Sequence, residues 1–366
     1  MNSETPGCTM NFRHVNCPLC EGSQQTQHLT GYDLQYGIPG EFFLVRCVNC
    51  RHVFMNPQPD ADSIGACYPD NYGPHRGASI AANDTAAATS SHLHDSVAAE
   101  SSEVTGDDRA APWYLSGFVR RIPGLRGLYY WLTDSHAEVL PPLSDDACVL
   151  EIGCAHGQFL HKLTAQGWTV TGVEPADNAA AAARAQGFDA RTGTLSAASF
   201  STNQFDAAFA WMVIEHLPDP RETLDELSRV LKPGGWLALS VPNFGCWEPK
   251  VFGKYWDAYE LPRHLQHFTA RTITRVLNDC GFEVEKLQCQ HNLLNVVGSL
   301  GFALRARWPN SRLAHRLIEF PHQPGLAGQL LLALPAKLLA LMGQGGRFTI
   351  LARTRAGAPS AEGTSA

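Results

Sequence analysis

Between Asp145 and Asn243, short apolar runs alternate with stretches of helical pattern, and no other feature of this 366-residue chain constrains its fold as tightly. Cys148-Val-Leu-Glu-Ile152 reads as a buried strand, and Phe159 to Ala165 as the helix that follows it. Trp168–Val173 is a second strand, followed by an Ala-rich helix around Ala179–Ala185, and Phe205–Trp211 is another strand. Asp219 then caps a helix with Pro220 in its first turn and Leu224, Leu227 and Leu231 on one face. Lys232-Pro-Gly-Gly235 stops that helix, and Trp236–Val241 is a further strand. Strands alternating with helices imply a parallel sheet covered on both sides. Beyond it, Thr269 caps a helix carrying Ile273, Val276 and Leu277 and ended by Gly281, with a strand at Phe282–Leu287.

Glu151-Ile-Gly-Cys-Ala-His-Gly157 lies between the first strand and the first helix, where a glycine turn lets a ligand approach the backbone at a helix N-terminus. Glu174 closes the second strand, 21 positions after Gly153, where a carboxylate can accept hydrogen bonds from ribose hydroxyls. A dinucleotide and another adenosine ligand would both suit this pair. The glycines are spaced GxxxG, so the tight pyrophosphate-binding turn of GxGxxG is missing. Glu151 beside the turn is unhelpful for phosphates and suits a ligand carrying an ammonium and a sulfonium.

Four segments occur in order at suitable spacings over roughly Asp145 to Leu287: Glu151–Gly157, Val173-Glu-Pro175, Val213-Ile-Glu-His-Leu-Pro-Asp-Pro220 and Val230-Leu-Lys-Pro-Gly-Gly235. In these residues the chain resembles the class I S-adenosylmethionine-dependent methyltransferases, particularly the group similar to ubiquinone-biosynthesis methyltransferases. The resemblance implies an α/β, Rossmann-like seven-stranded sheet with helices on both faces and an antiparallel last strand, for which Phe348–Ala352 is the candidate. It also implies that Glu151, Gly153 and Gly157 line the methionine end of the cofactor, with Cys154 a backbone position in the turn. Glu174 then meets the ribose, and Trp211 and Met212 lie on the adenosine side.

Cys17-Pro-Leu-Cys20 and Cys47-Val-Asn-Cys50 are two CxxC units separated by 26 residues. Each can place two thiolates on one side of a metal, and together they complete a closed, structural tetrahedral zinc site. A redox role is disfavoured because the units are matched, and Arg51 stands where such a knuckle often has glycine. The segments Leu44–Pro59 and Cys67–Tyr72 resemble the N-terminal zinc module of bacterial methyltransferases associated with sugar and polysaccharide modification, which implies a small zinc-ribbon-like module. The other seven cysteines form no further CxxC pair and receive no metal or catalytic role.

Methyl transfer from a sulfonium is chiefly a matter of alignment, but a neutral hydroxyl or a carbon beside a carbonyl also needs a base. His216, just beyond the Trp211 strand at the carboxyl edge of the sheet, is one candidate; a structural histidine beside the cofactor is the other reading. The second candidate, His264, lies in Tyr255-Trp256-Asp257-Ala-Tyr259-Glu260-Leu-Pro-Arg263-His264-Leu-Gln-His267, an aromatic and polar cluster that suits a sugar. His267 is read as orienting the helix capped by Thr269, and Asp257 with Arg263 as a possible surface ion pair.

Composition completes the division. Residues 1–76 read as the zinc-binding module, 77–112 as a flexible Ala/Ser/Thr/Asp-rich linker, 113–355 as the methyltransferase domain with a C-terminal helical elaboration, and 356–366 as a disordered tail. Trp113–Val139 is expected to be a helical lead-in interrupted near Pro123-Gly124. Leu326–Met342, the most apolar stretch, is interrupted by Gln329, Pro335 and Lys337 and is short for a span; it is read as a buried or dimer-forming helix pair in preference to membrane-surface contact. The start of the chain lacks the apolar core of a signal peptide, so a cytoplasmic protein is expected. The expected acceptor is a small polar molecule, a sugar or a polysaccharide-related metabolite, methylated on oxygen or carbon. An RNA methyltransferase and a catalytically silent cofactor-binding interaction protein are the alternatives. Nucleic acid is disfavoured because the chain is −7 overall and residues 1–76 hold four Lys+Arg against seven Asp+Glu.

Overall fold

The computed structural model describes residues 10–60, 62–69, 72, 137–322 and 326–355. The linker, nearly all of the helical lead-in and the C-terminal tail lie outside these residues.

The N-terminal part is built from short strands: β1 (Phe12–Arg13), β2 (Gln25–Gly31), β3 (Phe42–Cys47), β4 (Val53–Met55) and β5 (Gln58–Pro59). The larger part begins with β6 (Cys148–Ile152), α1 (Gln158–Thr164), β7 (Thr169–Glu174), α2 (Asp177–Ala185), β8 (Asp189–Thr192) and β9 (Phe205–Trp211). It continues with α3 (Pro220–Val230), β10 (Leu231–Pro242), α4 (Glu248–Phe252), β11 (Gln266–His267), α5 (Ala270–Asp279) and β12 (Phe282–Cys289). Three helices, α6 (Leu294–Arg307), α7 (Arg312–Glu319) and α8 (Leu326–Leu341), precede the final strand β13 (Arg347–Thr354).

The seven-stranded sheet has the order β12-β13-β10-β9-β6-β7-β8. Strands β10, β9, β6, β7 and β8 are parallel neighbours, and β13 inserts antiparallel between β10 and β12. This is the class I methyltransferase fold, and the last antiparallel strand contains the expected Phe348–Ala352. The central strands are buried nearly throughout, as a doubly covered sheet requires. Local signals act as read: the Asp219 carboxylate accepts from Arg221 N and Glu222 N, and Thr269 with Thr272 forms a reciprocal capping box. One boundary moves. Leu231 begins β10 instead of ending the helix, because Lys232–Gly235 forms a bulge against β9 and the strand runs on through it. Lys232 Nζ meets Asp206 at 2.7 Å across that bulge.

Leu326–Leu341 is one continuous helix with Pro335 inside it, which corrects the expected helix pair. Among the described residues no helix is long and apolar enough to cross a membrane.

Of the N-terminal strands, β1 and β5 pair with each other, whereas β2, β3 and β4 share their sheet with the larger part. Strand β11, from the larger part, pairs with β4 to complete the order β11-β4-β3-β2, with Gln266 opposite Phe54 and His267 opposite Val53. Around this seam His52 Nε2 meets Gln266 Oε1 at 3.0 Å, and Arg221 donates to the Leu19 carbonyl at 3.1 Å. Cys17, Leu19, Cys47 and Cys50 share a hydrophobic core with Leu224, Phe268 and Ile273. Arg263, whose side chain is 0% exposed, makes a bidentate pair with Asp33 at 3.0 and 3.1 Å. The expected Asp257–Arg263 surface pair is therefore absent: Arg263 is buried against the N-terminal part. Burial alone would raise the Asp33 carboxyl. Arg263, helped by the backbone N–H groups of Tyr36 and Ile38, outweighs it and holds the carboxyl below its ordinary value.

Asp33→Ala removes the bidentate partner of a buried guanidinium that keeps only Glu260 as a carboxylate contact, and a loss of about 3–5 kcal/mol of unfolding free energy is expected in denaturant titration. A depressed carboxyl contributes stability that is present above its unfolded pKa and fades as pH falls through the lower folded value. The difference between wild type and Asp33→Ala should thus shrink on acidification below the ordinary aspartate range.

Candidate functional site

The cofactor edge grows from β6. After Ile152 the chain turns sharply: Gly153 (φ 70°), Ala155 (φ 46°) and Gly157 (φ 91°) all adopt left-handed conformations, and Gly157 is the N-cap of α1. A Cβ on Gly153 would lie 2.5 Å from Val213, so only glycine admits this close approach to the segment after β9. Glu174, at the end of β7, is buried; its two carboxylate oxygens accept from Ala155 N and Ala176 N, each at 2.9 Å. It thereby pins the glycine turn to the neighbouring strand.

Glu151 is buried, and its Oε2 has no hydrogen-bond partner. Burial, followed by Glu138 and Glu174, pushes this carboxyl well above its ordinary value. An orphaned buried carboxylate oxygen beside a glycine turn suits a cationic ligand group, and S-adenosylmethionine carries an ammonium and a sulfonium. Cys154 is buried with its sulfur against Gly172. Trp211 packs edge-on to Phe159 at 5.5 Å and leaves its buried Nε1 without a partner. Met212 (φ 55°) donates its N–H to Ser240 O at 3.0 Å.

A second cluster forms where the two parts of the chain meet. A 3-10 turn, Ile214–His216, follows β9. His216 Nδ1 lies 3.1 Å from Tyr68 Oη, which the N-terminal part supplies, and its ring stands edge-on to His264 at 4.6 Å. His264 Nδ1–H donates to Ala258 O at 2.9 Å, which fixes that tautomer. Its Nε2 then faces Glu260 Oε2 at 3.3 Å, a contact that is attractive only when one proton lies between the two atoms. Arg263 holds the other Glu260 oxygen at 3.2 Å and lies over the Tyr36 ring at 4.6 Å. Burial, reinforced by His264, lowers His216 to about 3. Burial, opposed by the Ala258 carbonyl, also brings His264 to about 3. Both rings are neutral at pH 7 and can receive a proton.

Glu215 is fully buried, both its oxygens lack partners, and burial raises it to about 8. Ligand atoms of Glu215, His216 and His264 all lie within 4.8 Å of one another, so this corner can also hold a divalent cation. His267 differs from its expected role. It is buried in β11, edge-on to Tyr259 at 5.3 Å, while Thr269 and Thr272 cap α5 by themselves.

The four cysteines converge. Cys17 and Cys50 sulfurs are 3.4 Å apart, Cys20 and Cys47 sulfurs 3.6 Å apart, and all four lie within 4.8 Å of one another. A tetrahedron with Zn–S bonds of about 2.3 Å has sulfur separations of roughly 3.8 Å, so the site fits zinc. Glu21 (φ 59°) and Arg51 (φ 68°) follow their CxxC units in matching left-handed conformations, so Arg51 performs the turn that glycine often makes. Burial raises the Cys50 thiol to about 11, and a bound dication would reverse that preference.

Residues 125–287 match the family model described as a methyltransferase domain. A protein of Mycolicibacterium smegmatis named "Probable S-adenosylmethionine-dependent methyltransferase" is 32% identical over 171 residues, covering 45% of this chain and 64% of that protein. The ubiquinone biosynthesis O-methyltransferase of Thiobacillus denitrificans is 26% identical over 152 residues, covering 38% of this chain and 66% of that protein. The chain thus spans just under two thirds of the length of these curated relatives. A solved SAM-dependent methyltransferase from Methanosarcina mazei superposes with a TM-score of 0.41 at 18% identity, covering 60% of this chain and all of that one.

Tyr68, Glu260, Glu215 and Asp33 were not singled out by sequence reasoning as site residues. Glu260 lies inside the Tyr255–His267 cluster and Tyr68 inside Cys67–Tyr72, so their neighbourhoods carried a signal. Asp33 had none beyond the charge that a buried arginine demands.

Metal analysis of the purified chain should find about one zinc per molecule, lost when Cys17→Ser and Cys20→Ser are combined. Zinc retained in that variant would contradict the ligand set.

Proposed function

We propose that the chain transfers a methyl group from S-adenosylmethionine to a small polar acceptor, a sugar or polysaccharide-related metabolite, at oxygen or carbon. In this reading residues 1–76 hold a structural zinc through Cys17, Cys20, Cys47 and Cys50, and residues 113–355 carry the transferase. The observation that supports it best is the meeting of Tyr68, His216, His264 and Glu260 beside the glycine turn. Val213, which packs against Gly153, lies three residues before His216 and joins the two halves of the site.

When bound, the cofactor supplies a methyl group activated by its sulfonium. The protein's own work is alignment and proton removal. Glu151 accepts from the ligand's ammonium, and Gly153, Cys154 and Gly157 let it approach the backbone. Glu174 accepts from the ribose hydroxyls, and Trp211 and Met212 flank the adenosine. On the acceptor side the neutral rings of His216 and His264 are the candidate bases. Tyr68 orients His216 through Nδ1, and a ring that donates Nδ1–H to the tyrosine oxygen keeps on Nε2 the lone pair that a base needs. Glu260 Oε2 faces Nε2 of His264, and its carboxylate would stabilise the positive charge that proton uptake there creates. Tyr72 packs against both Tyr36 and Tyr68, with ring centroids 5.9 and 5.1 Å away, so the corner is lined by aromatic side chains. They surround a guanidinium engaged by carboxylates, which suits an uncharged acceptor better than a phosphate backbone.

The deciding experiment incubates the enzyme and isotopically labelled S-adenosylmethionine with cell extract and searches for labelled product by mass spectrometry. A labelled small saccharide-type product supports the reading. Labelling abolished by ribonuclease would replace it with RNA methylation, and cofactor binding without any labelling would leave only a binding protein. A second test uses Glu151. Because burial raises this carboxyl, its ionised form is disfavoured until a cationic partner arrives, so ligand binding should release a proton. The affinity for S-adenosylhomocysteine, measured by calorimetry, should rise with pH from acid toward neutral in wild type and lose that dependence in Glu151→Gln.

A further inference from the structure

Helix α8 is inverted. Ala333 and Ala336 are buried and Ala340 packs against the main core, whereas Leu331 (78% exposed), Leu334, Leu338, Leu341 (81% exposed) and Met342 face outward. Their spacing places these large apolar side chains on one stripe. A helix that buries alanine and presents leucine to the outside is built to be covered by something apolar. The only charged residue in 326–342, Lys337, is buried, with Nζ 3.2 Å from His291 Nδ1, so no charge interrupts the stripe.

What covers it is indicated by the charge around it. Residues 294–342 carry Arg305, Arg307, Arg312, Arg316 and Lys337 against Glu319 alone, a net +4 inside a chain of −7. Arg307, Arg312 and Arg316 are exposed, as are Trp308 (55%) and Leu313 at the turn between α6 and α7. Gly301 of α6 fits against Ala314 and Ile318 of α7, and Gly328 of α8 lies against Phe320 just beyond α7, so the three helices are neighbours in one insertion. An exposed leucine stripe without charges, next to arginines and an exposed tryptophan, is the pattern of an element that lies in the interface of an anionic bilayer. At 16 residues α8 is too short to span one. A second copy fits less well, because an isologous contact would bring two net-positive elements together.

We propose that the α6–α8 insertion between β12 and β13 docks the protein peripherally on an anionic lipid surface, with the Leu331–Met342 stripe entering the interface and the arginines engaging phosphate headgroups. This inference does not rest on the methyl-transfer reading.

The test is co-sedimentation of the full-length chain with vesicles of phosphatidylcholine alone and of phosphatidylcholine mixed with phosphatidylglycerol, alongside light scattering of the free protein. Wild type should pellet with the anionic vesicles, lose that binding in high salt, and pellet poorly with phosphatidylcholine. Leu331→Ser with Leu338→Ser should weaken partitioning by roughly a hundredfold. Arg312→Ser with Arg316→Ser should weaken it by roughly thirtyfold. The arginine pair decides the matter if the serine variant fails to fold. Wild type remaining in the supernatant with both vesicles, or partitioning unchanged in the arginine variant, would overturn the proposal. So would a wild-type dimer that the leucine variant turns into a monomer, since a second copy would then cover the stripe.

Discussion

The site depends on one buried ion pair. Arg263 stands in the segment between the last parallel strand and α5, and Asp33 stands in the N-terminal part; their bidentate contact is closed to solvent on both sides. A buried guanidinium without a carboxylate is costly, so the pair specifies where the N-terminal part sits. Arg263 also reaches Glu260 and the Cys67 carbonyl, which places Tyr68 beside His216. Docking, acceptor geometry and the orientation of His264 through Glu260 are therefore consequences of a single constraint. The sheet shared between β4 and β11 fixes the register of the same seam.

Two kinds of preorganisation follow. On the cofactor side the strain lies in the backbone: successive left-handed residues bend the turn, and Glu174 holds it through Ala155 and Ala176. On the acceptor side it lies in the burial of titratable groups. Burial keeps both histidines neutral and leaves Glu215 with unsatisfied oxygens where a cationic partner would be stabilised, as it does for Glu151 on the cofactor side. The zinc-fitting cysteines stand behind this arrangement. They join the core under α3 and α5 and so hold the strands that deliver Asp33 and Tyr68.

Much of the fold was legible because its signals are local. The glycine turn, the Asp219 and Thr269 caps, the strand alternation and the closing strand at Phe348 are each written within a few residues. The Leu231 boundary was missed because a bulge reads like a stop when only Pro and Gly are visible. The candidate acceptor cluster was half legible: both histidines could be nominated from their places at the sheet edge. The groups that meet His216 and Arg263 could not, since Tyr68 and Asp33 arrive from 148 and 230 residues away in sequence and docking leaves no periodic trace. The apolar character of Leu326–Met342 was equally plain, but which face would point outward depends on the small-residue packing of α8 against the sheet.

The central claim is that the N-terminal part contributes chemistry as well as support, through Tyr68. It is tested most directly by measuring turnover of Tyr68→Phe with the identified acceptor, together with its affinity for S-adenosylhomocysteine. The account predicts a fall in kcat of at least about tenfold with cofactor affinity unchanged, since only the hydroxyl that holds His216 is removed. Turnover equal to wild type, or a loss fully explained by weaker cofactor binding, would contradict it.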